Sequence, residues 1–138
     1  VLPIDTVIAK EFKANAEHKI TAEDIDDDWE GLDIGPASRK LFADKLKGVK
    51  TIVWNGPMEV FELTPFDEGT KAIAEAVAEA TENGARSIIG GGDSASAVKK
   101  MGLEDKISHI STGGGASLEL LEGKDFICLE ILDEKETA

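Results

Sequence analysis

Three short stretches place glycine where a strand should hand over to a helix: "NGP" at 55–57, "GGGDS" at 90–94 and "GGG" at 113–115. A helix start leaves about four backbone amides without partners and carries roughly half a positive charge, which suits the oxygens of a phosphate. Removing Cβ atoms lets such oxygens approach the main chain. One residue with positive φ usually suffices for a strand-to-helix turn. Two triple-glycine junctions therefore exceed what turning needs and point to phosphate binding, although tight turning alone would account for any single one. Neither the Walker loop nor the Gly-x-Gly-x-x-Gly dinucleotide pattern occurs, since Gly123-Lys124 sits at a helix end and "GGGDSA" lacks the third glycine.

Asp93 sharpens the reading, because a carboxylate beside anion-binding amides would repel a bare phosphate. A magnesium ion bridging Asp93 and the phosphates removes that conflict. The plainer role is a helix N-cap shared with Ser94, and the two roles can coexist. "WNGPMEVFE" at 54–62 adds Asn55, apolar Val60 and Phe61, and Glu62, a mixture that could hold a nucleoside. His18 and His109 lack metal-ligand spacing and read as structural or surface residues. Cys128, the single cysteine, sits in "FICLEIL" with no histidine nearby, so it reads as neither nucleophile nor disulfide partner.

The elements that must position these residues follow from pattern. Val1 to Ala9 reads as a buried strand broken by Pro3, with a turn at Asp5 and Thr6. The acidic stretch to Glu30 reads as an exposed loop or weak strand pair. "GLDIGP" at 31–36 is a strand closed by Gly-Pro, and Ser38 opens a helix with Leu41, Phe42 and Leu46 on one face. "KTIVW" at 50–54 is a strand. In "TPFDEGTKAIAEAVAEATENG", Thr64 is the expected cap, Pro65 the first helical residue and Asp67 the third, with Gly84 past the end. "ARSIIG" is the next strand, Ser94–Lys100 a short helix, "KISHIS" a strand, Ala116–Leu121 a last helix, and "FICLEIL" an extended tail. Strands alternating with helices predict an α/β domain with a parallel sheet, and strands apolar on both faces predict a sheet covered on each side. Ligands in such sheets bind at the carboxyl ends of the strands, so the glycine turns should line one crevice.

The bulk numbers bound the function. The 138 residues allow one domain or part of one. A formal charge of −13 opposes nucleic-acid and anionic-lipid partners, while a lone cysteine and the lack of a membrane-length apolar run fit the cytoplasm. The chain opens "VLPID" without an initiator Met or a signal-like segment, and an apolar strand is already under way, which suggests a piece of something longer.

Read together, "LPIDTVIA", "GLDIGP", "TIVWNGPMEVFE", "FDEGTKAIA", "SIIGGGDSASAV" and "DKISHISTGGGASLELLEGK" resemble phosphoglycerate kinase, specifically the later part of its C-terminal, nucleotide-binding domain, over Val1 to Lys124. The resemblance implies an incomplete doubly wound domain, Rossmann-like and three-layered α/β/α, over residues 1–138 with an atypical tail at 125–138. It implies ATP or ADP with Mg2+ as ligands. Leu32, Asn55, Pro57, Val60 and Glu62 would surround adenine and ribose, with Gly91 and Gly92 approaching the base and sugar. Asp93 would hold magnesium, Ser94 would meet the distal phosphates, and Gly113, Gly114 and Gly115 would supply amides around the transferring phosphoryl group. Glu59 stands where the family usually has glycine, which would strain the backbone if positive φ is required there. Phosphoglycerate would bind only with the family's N-terminal domain, and the chain alone is expected to be inactive. Missing neighbouring strands would leave a raw sheet edge open to self-association.

Overall fold

A computed structural model describes residues 1–126. Two sheets divide the molecule. An antiparallel one has the order β2-β1-β3, from β1 (Thr6–Ala9), β2 (His18–Thr21) and β3 (Glu30–Ile34). A parallel one has the order β4-β5-β6, from β4 (Thr51–Asn55), β5 (Arg86–Gly90) and β6 (His109–Ser111). The helices are α1 (Pro36–Leu46), α2 (Glu68–Glu82), α3 (Gly92–Lys100) and α4 (Gly115–Leu121). The α/β class expected from the alternation is present, and the second sheet is parallel as expected. The first three strands instead form a separate antiparallel unit, because β1 pairs with both β2 and β3 rather than entering a βαβ crossover.

Alternation along β4 explains the main core. Ile52 and Trp54 face inward, where Ile73, Ala74, Val77 and Ala80 of α2 and Val98 of α3 close over them. The small alanines let α2 lie flat on the sheet, as its period requires. Val53 and Ile88 point to the other face, and there α4 forms a partial third layer. Among the described residues that face is open, with Val53 44% exposed, so the sheet is fully covered on one side rather than both. A smaller cluster, Val7, Ala9, Ala16, Leu32 and Phe66, underlies the antiparallel sheet.

Two buried carboxylates join these parts. Asp5 accepts from the amides of Ala37 and Ser38, at 2.9 and 2.7 Å, and so caps α1 from a remote part of the chain. The Ser38 hydroxyl in turn accepts from the amides of Ile4 and Asp5. Burial alone would raise the Asp5 carboxyl, but the Ser38 hydroxyl and the two amides outweigh it and hold the group below its ordinary value. Asp33, fully buried, does the same for α2. Its Oδ2 accepts from the Gly69 amide at 2.6 Å and from Arg39 Nη2 at 2.9 Å, and its Oδ1 accepts from the Ile34 amide at 2.8 Å. A Cβ at Gly69 would overlap the Asp33 carboxylate, so glycine is required for this approach.

These contacts correct several expectations. Residues 1–4 are exposed and the strand begins at Thr6; Asp5 is a helix cap and not a turn residue. Helix α1 begins at Pro36, two residues before Ser38. Helix α2 begins at Glu68, three residues after Pro65. Phe66 is drawn wholly into the smaller cluster, which turns the chain through residues 64–67, and Asp33 supplies the cap that Thr64 was expected to supply. The expected strand "FICLEIL" and Cys128 lie outside the described residues.

Removing the Asp33 carboxylate leaves the Gly69 and Ile34 amides and the Arg39 guanidinium without their buried acceptor. Asp33→Ala is therefore expected to cost about 3–5 kcal/mol in urea unfolding. Burial pushes the Asp33 carboxyl up to about 6, against the pull of the Gly69 amide and Arg39. With the folded value above the unfolded one, its stabilising contribution is full at low pH and is lost as pH rises through about 6. The stability advantage of wild type over Asp33→Asn should thus be larger near pH 4 than near pH 7; equal gaps in the two unfolding curves would contradict the shift.

Candidate functional site

The three glycine turns meet at the carboxyl ends of β4, β5 and β6. A Cβ at Gly91 would stand 2.9 Å from Asn55 Oδ1, and one at Gly114 would stand 3.2 Å from the Gly91 Cα. The turn after β5 and the turn before α4 are therefore in backbone contact, with the Asn55 amide beside them. Gly91 has φ +99, a conformation that side chains resist, and its amide donates to the Ser111 carbonyl at 3.0 Å. The Gly56 amide donates to Ser94 Oγ at 2.8 Å, tying the turn after β4 to α3.

Helix α3 starts with Gly91 as its N-cap and makes no side-chain capping bond. Its first amides keep their donor capacity for an outside acceptor. Asp93 lies in that first turn and is exposed, so it is not the cap. Helix α4 likewise begins behind Gly114 without a side-chain cap, while the Ser117 hydroxyl donates back to the Gly113 carbonyl. No group of three or more metal-ligating side chains occurs among the described residues. A cation here would have one protein carboxylate, Asp93, with water and ligand oxygens completing its shell, the usual style of magnesium with a nucleotide.

The other candidates divide. Leu32 is buried in the smaller cluster with Val60 packed against it, and the Val60 amide donates to the Leu32 carbonyl at 3.2 Å. Pro57 is half-buried, whereas Asn55, Glu62 and Gly92 are exposed. Glu62 accepts from the Phe61 amide at 3.1 Å. Glu59 has no positive φ, so no backbone strain arises from the residue at that position. Ser94 is fully buried with its hydroxyl engaged by Gly56, and its side chain faces the protein. Of the histidines, His109 borders the open sheet face, and His18 pairs its Nδ1 with the Ala16 carbonyl and stacks edge-on to Phe66.

Sequence reasoning missed the bonds that hold the loop between β4 and α2. The Met58 amide donates to Thr70 Oγ1 at 3.0 Å, and Lys100 Nζ donates to the Phe61 carbonyl at 3.0 Å. Residues 12 and 39 positions apart carry no mutual signal in a single sequence.

A phosphoglycerate kinase family model matches residues 1–124. The chain is 60% identical over 135 residues to a phosphoglycerate kinase of Corynebacterium kroppenstedtii, a match covering 96% of this chain and 34% of that relative. The structure of phosphoglycerate kinase from Coxiella burnetii is similar with TM-score 0.83 and 42% identity, over 90% of this chain and 32% of that one. The phosphoglycerate kinase of Pyrococcus horikoshii OT3 gives TM-score 0.77 and 31% identity, over 93% and 31%. The chain thus spans about a third of the length of the relatives it matches.

Ser94→Ala would leave the half-buried Gly56 amide without its acceptor. The expected cost is about 1–3 kcal/mol in thermal or urea unfolding. An unchanged transition would show that Gly56 finds another acceptor.

Proposed function

The chain belongs to the phosphoglycerate kinase family, and we propose that its glycine-lined crevice is the nucleotide side of that kinase's active site. The observation that carries this reading is the contact of Gly91 with Gly114 and Asn55 at the start of a helix without a side-chain cap, with Asp93 exposed in its first turn. Amides of Gly92, Asp93 and Ser94 would donate to phosphate oxygens, and those of Gly114 and Gly115 would border the phosphoryl group in transfer, with Gly113, whose amide donates to Ser111 Oγ at 3.2 Å, beside them. Asp93 would hold magnesium, which when bound would neutralise charge on the phosphates. Pro57 and Val60 offer apolar surface to adenine, with Leu32 supporting Val60 from behind; Glu62 and Asn55 offer acceptors to the ribose.

In this reading the residues position ADP or ATP, and the phosphoryl group passes between the nucleotide and bisphosphoglycerate in glycolysis, in the cytoplasm. Phosphoglycerate would be held by parts of the family polypeptide that this chain does not match. None of the three glycine motifs contains lysine or arginine, so a transition state rich in negative charge would lack cationic partners on these turns. We therefore propose that the chain alone has negligible kinase activity. A second reading, favoured by the place of β4 at the edge of the parallel sheet among the described residues, is a non-catalytic module that binds phosphate weakly and self-associates through that edge.

Titration with Mg-ATP should move the NMR amide signals of Gly91, Gly92 and Asp93, and Asp93→Asn should abolish the magnesium dependence of that shift. Formation of ATP from bisphosphoglycerate and ADP by the pure chain would refute the claim of inactivity. A mass that rises with concentration, without nucleotide shifts, would favour the second reading.

A further inference from the structure

Residues 56–67, between β4 and α2, contain no helix or strand, yet they carry Pro57, Val60 and Glu62. Main-chain polar groups in such a segment must find partners elsewhere. Gly56 bonds to Ser94 in the first turn of α3, and Phe61 bonds to Lys100 at the end of α3. Six residues of helix separate these anchors, a rise of about 9 Å. The loop therefore follows α3 from its start toward its end.

The Phe61 carbonyl is one end of the planar peptide whose other end is the Glu62 amide, so a bond to that oxygen fixes the plane from which Glu62 departs. The other side of Phe61 is held as well, since its amide donates to the Glu62 carboxylate at 3.1 Å. Phe61 itself is buried. The lysine contact is a charged donor on a carbonyl, the stronger kind of neutral-partner hydrogen bond. Resting on the nucleotide reading above, we propose that Lys100 is a positioning residue: it fixes the Phe61–Glu62 peptide and thereby sets Glu62 for the nucleoside relative to Asp93 on the same helix.

A nucleoside-specific role separates this from simple support of the fold. Wild type, Lys100→Met and Lys100→Arg would be titrated by calorimetry with Mg-ATP and with magnesium tripolyphosphate, which has phosphates but no nucleoside. Lys100→Met should bind Mg-ATP about three- to tenfold more weakly. Tripolyphosphate affinity should stay at the wild-type value, and Lys100→Arg should recover most of the ATP loss. Equal ATP affinity in Lys100→Met, or equal losses for both ligands, would overturn the proposal. Should wild type bind neither ligand, the nucleotide reading fails by itself. Hydrogen exchange at the Met58 and Val60 amides then decides whether Lys100 holds the loop: faster exchange in Lys100→Met supports the clamp, and unchanged exchange ends it.

Discussion

The buried Asp33 carboxylate is the point at which the architecture closes on itself. It sits on β3, receives Arg39 from α1 and caps α2 through Gly69, so one group fixes three elements relative to each other. Four amides at a helix start need acceptors, and here the acceptor is brought in by another strand instead of by the helix's own flanking residues. Asp5 repeats the arrangement for α1. Helices α1 and α2 are thus both tied to the smaller sheet by a carboxylate, Asp5 just before β1 and Asp33 within β3.

That anchoring reaches the candidate site through one residue. Thr70 follows Gly69 in α2, is fully buried, and accepts from the Met58 amide. Moving the start of α2 would move Thr70, then Met58, then the loop that carries Pro57, Val60 and Glu62. The same loop rests on the smaller cluster through Val60 and Leu63. Its position is therefore set from three sides, by β3, α2 and α3, although it has no regular structure of its own. A connection of this kind is where binding residues commonly sit, on irregular backbone held by rigid neighbours.

Local patterns revealed the parallel half of the fold, and in the other half the strands at β1 and β3 but not their antiparallel pairing. Period and punctuation located β4, α2's body and end, β5, α3 and β6, because alternation in "TIVW" and the alanine-rich 3.6 period are properties of neighbouring residues. Strand β2, and with it the antiparallel pairing, was hidden since His18–Thr21 is an exposed edge strand with almost no apolar alternation. The start of α2 was misplaced for a different reason. Thr64, Pro65 and Asp67 have the composition of a cap, but long-range burial of Phe66 and the Asp33–Gly69 bond outweigh that preference. At the crevice, glycine spacing announced the close turns, whereas the inward side chain of Ser94 and the grip of Lys100 depend on contacts far apart in sequence.

Charge adds a final constraint on what this surface can do. A chain with net charge −13 presents a field that repels a nucleotide's phosphates, and the glycine turns offer no cationic side chain to oppose it. Backbone amides are then the local counterweight, since their dipoles are fixed by the fold and require no reorganisation when an anion arrives. Such dipoles orient a bound group well but neutralise it weakly beside a full charge. Under the proposed reading, this third of the family polypeptide supplies geometry, and the larger part of the positive charge for transfer comes from magnesium and from residues outside the chain. Orientation and charge compensation would then reside on different parts of one enzyme, brought together only when both sides of the active site face each other.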